Sequence, residues 1–228
     1  MIDTSEPFVI IAIDGGAATG KSTTAGAVSA RFHLLHVDTG AFYRTITLAL
    51  LEAGVSPRDA AAVARALPGL AITTGARGRR AVMELNGGDP SARLREPRVN
   101  ENVSHFAALD EVRDFLLEYQ RGQTDVAREQ GFRGLVMEGR DIGSVIFPDA
   151  DFRFFLQAEE SERTRRRALQ GETDEIGKRD AMDAGRKSAP LICPPGAMTI
   201  NTTALSLDEV VETISREVET RLPRACSA

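Results

Sequence analysis

The run Gly15-Gly16-Ala17-Ala18-Thr19-Gly20-Lys21-Ser22 satisfies the pattern G-x-x-x-x-G-K-[ST]. It lies between a β-branched apolar run, Phe8 to Ile13, and a stretch of helix-tolerant residues from Lys21 to Phe32. Small residues let the backbone curl so that its N–H groups converge on a triphosphate, and the helix start adds the positive end of its dipole. Gly15 to Ser22, with Thr23 following, are the candidate nucleotide-binding residues. Lys21 is placed to reach the β- and γ-phosphates, and the Ser22 hydroxyl to complete Mg²⁺ coordination. A plain glycine-rich turn is the competing explanation; a strand before and a helix after argue against it.

Binding a triphosphate does not name the acceptor. Two further segments, Asp38-Thr39-Gly40-Ala41-Phe42-Tyr43-Arg44 and Glu138-Gly139-Arg140-Asp141, each follow an apolar run, at the strand ends where open parallel sheets form their ligand crevice. Glu138 there could hold Mg²⁺ or its waters, and Arg44 and Arg140 could clamp a second phosphate. Singly these are ordinary surface charges; together, at matched strand ends, they suggest a site. Arg163, Arg166 and Arg167 share one helical face, which either balances Glu159, Glu160 and Glu162 in solvent or turns toward phosphates. The Gly, Asp, Lys and Arg-rich stretch from Gly171 to Pro195 reads as mobile, of the kind that closes over a transfer site. His33, His36 and His105 have no metal spacing, and no nucleophile is paired with a base.

These residues need a scaffold. A second strand is expected at Leu34 to Val37, then helices at about Ala41 to Ala53 and Pro57 to Leu67. The glycine-rich segment from Leu70 to Pro97 reads as an insertion carrying a small hairpin with its turn at Asn86 and Gly87. A helical pattern from Glu96 to Gln130 precedes strands at Leu135 to Met137 and Phe152 to Leu156 and a charged helix from Glu159 to Gln170. Ala197 to Ile200 is the last candidate strand, and Ser206 with Glu209 resembles a capping box opening a final helix to about Arg221. The chain has 228 residues, a net charge of −5, 42% apolar and 27% charged residues, which excludes wholesale disorder. Its apolar runs are far too short to cross a bilayer. Asp3 and Glu6 fit no secretory leader, and Cys193 and Cys226 make no disulfide framework, so a cytoplasmic protein is expected. The acidic balance disfavours nucleic acid polymers as partners.

The whole pattern resembles the bacterial cytidylate kinases, within the nucleoside monophosphate kinases. The phosphate loop fits the family, and Asp38 to Arg44 is similar to its D-[ST]-G-x-x-Y-R segment. Asn86-Gly87-Gly88-Asp89 with Leu94-Arg95 resembles its N-G-x-D…I-R insert. Gly139-Arg140-Asp141-Ile142-Gly143-Ser144 with Phe147-Pro148-Asp149-Ala150, and Arg179-Asp180…Asp183…Arg186 with Ala189-Pro190-Leu191, match two more elements. Glu138 stands where many members have Asp.

The resemblance implies an α/β P-loop fold of three layers with a central parallel sheet, divided into core residues 1–68, an acceptor-binding insert 69–112 and core 113–228 with a mobile lid at about 163–188. It implies transfer of the γ-phosphate of ATP to CMP or dCMP with Mg²⁺, by a monomer with no membrane partner. Lys21, Arg140, Arg166 and Arg179 are then the expected catalytic residues, and Ser22 and Glu138 the metal residues. Arg44, Arg140 and Arg179 look like the acceptor-phosphate clamp, Thr39, Tyr43 and Asp183 like nucleoside contacts, and Ser104, Arg113, Asp141 and Arg186 like the base-recognition set. Ser104 and Arg113 are nine residues apart, half a turn out of phase at 3.6 residues per turn, so a shared base predicts a helix break near Leu109 with Asp110 as N-cap.

Overall fold

Val9, Ile11 and Ile13 alternate with Ile10 and Ala12 along β1 (Val9–Gly15), and both faces of this strand are covered. The computed structural model describes residues 7–169, 176–186, 188–222 and 224, with the backbone alone at 176, 178 and 179. After β1 come α1 (Lys21–Phe32), β2 (Leu35–Asp38), α2 (Thr39–Glu52), α3 (Ala60–Ala66), β3 (Ile72–Arg77) and β4 (Arg80–Leu85). Then follow α4 (Pro97–Phe106), α5 (Asp110–Arg121), α6 (Gln123–Glu129), β5 (Gly134–Gly139), β6 (Phe152–Gln157), α7 (Glu160–Leu169), α8 (Ile176–Ala184), β7 (Met198–Asn201) and α9 (Leu207–Val218).

Among the described residues the strands form one sheet of order β3-β4-β2-β5-β1-β6-β7, parallel except for the antiparallel β3-β4 pair at its edge. This is the expected α/β three-layer class. On one face Ala12, Val37 and Met137 pack with Phe42, Ile46 and Leu50 of α2 and with Phe106, Val112 and Leu116. On the other, Val9, Ile11 and Ile13 pack with Ala25, Val28 and Phe32 of α1 and with Val210, Ile214 and Val218 of α9. Pairing of Asp14 with Gly139 and of Asp38 with Glu138 brings the ends of β1, β2 and β5 level. The candidate residues lie just beyond that edge, as expected for an open parallel sheet.

Several boundaries differ from the sequence reading, each for a local reason. The Asp38 side chain accepts from the Ala41 N–H at 3.2 Å, so α2 starts at Thr39 rather than Ala41. Gly78, at φ 59°, turns the β3-β4 hairpin, not Asn86 and Gly87. Those two, at φ 52° and 75°, close a second tight turn just after β4, bridging Leu85 to Gly88. The helical pattern from Glu96 does break before Asp110, but Leu109 is the cap residue and Asp110 opens the first turn of α5, where its charge suits the helix dipole. A second break at Gly122 separates α5 from α6. Part of the stretch read as mobile, residues 176–184, is helical; residues 170–175 and 187 lie outside the described residues. The capping box of Ser206 and Glu209 is present at α9. Among the described residues, no helix is long and apolar enough to cross a membrane.

Candidate active site

The turn from β1 to α1 has the backbone its glycines predict. Gly20 sits at φ 95°, and a side chain on Gly15 would place its Cβ 2.1 Å from the Leu156 carbonyl oxygen. Gly15 therefore tolerates no substitution without moving β6. Lys21 is buried and donates through Nζ to the Gly16 carbonyl at 2.6 Å. Burial, and then the charge of Arg140, push its ammonium down to about 7. Thr19 donates to the Gly16 carbonyl at 3.0 Å, and Thr23 to that of Gly20 at 2.9 Å. Gly16, Ala17, Ala18 and Gly20 complete the cradle.

At its mouth, Ser22 Oγ donates to Glu138 Oε2 at 2.7 Å, and the other oxygen, Oε1, lies 2.8 Å from His36 Nε2. The longer carboxylate of Glu138 thus spans from a buried imidazole to the start of α1. His36, which showed nothing but the absence of a metal spacing in sequence, holds the candidate metal carboxylate in place. Among the described residues no cluster of three or more His, Cys, Asp or Glu could hold a metal by itself. Thr39, at the start of α2, donates to the Glu138 carbonyl at 2.7 Å.

Across a continuous cleft from Lys21 and Ser22 stand Thr39, Tyr43, Arg44, Ser104, Arg140, Asp141, Asp183 and Arg186. Arg140 Nε donates to Asp183 Oδ2 at 2.9 Å, and Arg186 pairs with Asp183 Oδ1. Arg113, itself buried, pairs with buried Asp141 of the cleft lining, and its guanidinium lies 5.8 Å from the centre of the Tyr43 ring. Burial raises the Asp141 carboxyl, with Arg113 and Arg186 opposing the rise, and burial pushes the Tyr43 hydroxyl up to about 12. Arg186 Nε is buried without a hydrogen-bond partner. Arg44 donates to the Gly40 carbonyl at 3.1 Å. Ser104 on α4 reaches the cleft while Arg113 on α5 reaches Asp141, a placement that the break between the helices permits. Arg179 belongs to α8, but its side chain is outside the described residues.

The face shared by Arg163, Arg166 and Arg167 turns inward. Arg166 donates to the Thr202 carbonyl at 2.6 Å, and Thr202 Oγ1 donates to the Thr19 carbonyl at 3.0 Å, which ties α7 to the phosphate loop. Arg163 donates to the Ala17 carbonyl at 3.2 Å and pairs with Asp180. Asp180 Oδ1 in turn accepts the Ala17 N–H at 2.9 Å. A carboxylate of the chain itself thus sits where loop N–H groups are arranged for an anion. Asp180 and Thr202 were not singled out in sequence because their contacts are long-range; only the adjacency of Asp180 to Arg179 in a recognisable motif hinted at the first. A second hollow, lined by Thr23, Arg166, Leu169, Thr203, Leu205 and Leu207, flanks the outer side of the loop.

A sequence model of the cytidylate kinase family matches residues 11–220. The chain belongs to the cytidylate kinase family. It is 39% identical to the cytidylate kinase of Geobacter sulfurreducens over 95% of this chain and 97% of that one. It is 40% identical to the cytidylate kinase of Chlorobaculum tepidum over 90% and 91%. An uncharacterized protein from Eubacterium ventriosum, 12% identical, aligns over 93% of this chain and 99% of its own with a TM-score of 0.50, a likeness of fold alone. The match to the cytidylate kinase family spans both sides of the cleft, from the phosphate loop to Asp183 and Arg186.

Proposed function

We propose that this chain transfers the γ-phosphate of ATP to the 5′-phosphate of CMP or dCMP, giving ADP and the nucleoside diphosphate. The observation that carries this reading is the single cleft in which Lys21 and Ser22 face Arg140, Asp141, Asp183 and Arg186 in a member of this family. ATP lies with its triphosphate in the loop from Gly15 to Ser22 and its base toward the hollow of Leu169, Leu205 and Leu207. The acceptor phosphate lies among Arg44, Arg140 and Arg179. It is largely dianionic at neutral pH, so its oxygen attacks the γ-phosphorus directly while the bond to the β-phosphate oxygen breaks in line. No general base is needed. Lys21, Arg140 and Arg166 hold the charge that spreads over the transferred group.

Mg²⁺ takes hard oxygen ligands, keeps several waters and is usually held by one or two carboxylates together with substrate phosphates. The Ser22 hydroxyl beside the Glu138 carboxylate fits that chemistry, and these two residues would hold the ion. When bound there, Mg²⁺ neutralises charge on the β- and γ-phosphates.

Thr39, Tyr43 and Asp183 hold the nucleoside, and the base faces Ser104, Arg113, Asp141 and Arg186. Cytosine presents acceptors at O2 and N3 and an amine donor at C4, whereas uracil presents N3–H. Guanidinium groups only donate, so Arg113 or Arg186 facing O2 and N3, with Asp141 or Ser104 accepting from the amine, suits cytosine and opposes uracil. Opposed polar groups cost about 1 to 3 kcal/mol each, so CMP should exceed UMP in kcat/KM by roughly ten- to a hundredfold. The test is ADP release with ATP and Mg²⁺ against CMP, dCMP, UMP, AMP, dTMP, shikimate and gluconate. CMP and dCMP should lead; preference for a non-nucleotide acceptor would overturn the reading, and equal use of CMP and UMP would make it a general pyrimidine monophosphate kinase.

A further inference from the structure

Asp14 is a charged residue near the end of β1, only 1% exposed, and the transfer chemistry above does not use it. Its Oδ1 accepts the Ile142 N–H at 2.8 Å and its Oδ2 accepts the Gly143 N–H at 2.7 Å. Those two amides open the π turn Ile142–Ile146, where a helical turn leaves its first N–H groups without partners of their own. Arg140 and Asp141 immediately precede them. The chain there has little freedom to settle elsewhere. A side chain on Gly139 would meet Thr39 Oγ1 and Ile142 Cδ1, both at 2.7 Å, so the path is packed from the α2 side, and Asp14 fixes it from beneath.

The geometry points to Asp14 as a positioning residue for acceptor binding: its carboxylate holds the 142–143 backbone so that Arg140 meets Asp183 and Asp141 meets Arg113. One residue thereby links β1, which carries the phosphate loop at its end, to the wall that faces the acceptor. The inference rests on the CMP reading above but reaches beyond it, because Asp14 does not line the cleft.

Both oxygens are used as acceptors, which makes Asp14→Asn a sharp variant. The amide keeps the shape and one acceptor but turns an NH₂ group toward one of the two N–H groups. Loss of that bond inside the protein should loosen residues 140–143 and weaken CMP binding by about tenfold or more, while ATP, held by the loop backbone, Lys21 and α1, should change less than about threefold. Calorimetric Kd values for CMP and for ATP, each measured alone on both proteins, read this split. A loss of stability without a specific role is calibrated by Ser29→Ala, which removes a buried hydrogen bond to the Leu34 carbonyl at 2.7 Å, far from the cleft. Asp14→Asn with unchanged CMP affinity, or with CMP and ATP weakened equally, would overturn the positioning role. Should the variant not fold, hydrogen exchange on the wild-type protein decides: the Ile142 and Gly143 amides should be strongly protected, and exchange as fast as surface amides refutes the brace. Absence of CMP binding by the wild type would instead defeat the CMP reading, leaving the exchange result to stand by itself.

Discussion

Lys21 carries the sharpest test at the scale of one residue. In the proposed reaction it neutralises charge on the transferred phosphoryl group and fills no core position, so Lys21→Ala should fold and yet lose more than about tenfold in kcat, over ~1.4 kcal/mol. Retention of more than a tenth of the wild-type rate contradicts that role. With its ammonium held down to about 7 from 10.5, Lys21 is largely neutral in the free protein at pH 8. A triphosphate favours the charged form, so ATP binding should take up a proton there. Calorimetry in two buffers of different ionisation enthalpy should read this uptake in the wild type and not in Lys21→Ala. The same depressed value means that the unfolded chain binds the extra proton between about 7 and 10.5, so the Lys21 share of stability is greatest above that window and is lost as pH falls through about 7. Lys21 and Ser22 were legible because a local pattern encodes them. His36 and Asp180 were not: their partners, Glu138 and Ala17, lie 102 and 163 positions away, and nothing near either residue in sequence announces such a pairing.

At the scale of elements, α9 is the helix whose ends the sequence declares most clearly. Ser206 and Glu209 satisfy each other's backbone N–H groups, and Val210, Ile214 and Val218 bury one stripe against α1 and β6. Ser206→Ala should cost about 1 kcal/mol and, in a protein of this size, lower Tm by about 2 to 4 °C without changing kcat; an unchanged Tm would show that packing alone fixes the helix start. In α8 charge obscured the helix in sequence. Its residues are mostly charged or small, and among the described side chains the ion pairs of Asp180 with Arg163 and of Asp183 with Arg140 attach it to the rest. Attachment of that kind is easily rearranged, so amide exchange across 177–186 should slow on adding ATP and CMP together; equal exchange with and without them would exclude a closing role. The hairpin turn was misplaced because Gly78 and Gly87 offer similar turn chemistry, and only pairing across β3 and β4 distinguishes them.

For the whole molecule, the sheet divides two cores, and β1 contributes to both through its alternating side chains. That β1 is central followed from its unbroken apolar run; the order of the other strands did not, since crossovers between parallel strands leave no local mark. Nor does the sequence say that β4 joins β2 through the single pair of His36 with Arg80 and so brings the insert to the edge of the main sheet. Residues of the phosphate loop, α2, α4, the end of β5 and α8 line the cleft of the proposed nucleotides, so ligand binding should stabilise the fold globally rather than one lobe. At a hundred times Kd, CMP should add about 2.7 kcal/mol to the unfolding free energy. A single melting transition that moves upward with CMP is expected, and two transitions of which only one moves would show that the insert unfolds separately.

Asp180 gives the phosphate loop an occupant before any nucleotide arrives. Its carboxylate takes the Ala17 N–H and the Arg163 guanidinium, so in the proposed reaction ATP would enter by exchange, one anion leaving as another settles. Exchange depends less on ionic strength than does filling an open cationic site, because the count of opposite-charge contacts changes little. It also lowers apparent affinity by the fraction of molecules in which the carboxylate is already out of the way; if that fraction is about a tenth, the reduction is about tenfold. Asp180→Asn should therefore bind ATP more tightly and with a steeper salt dependence than the wild type, both readable by titration at two ionic strengths. The helix that yields Asp180 also carries Asp183, the partner of Arg140 and Arg186 on the acceptor side. In the proposed reaction, a donor nucleotide that displaces Asp180 should therefore also shift Asp183 on the acceptor side.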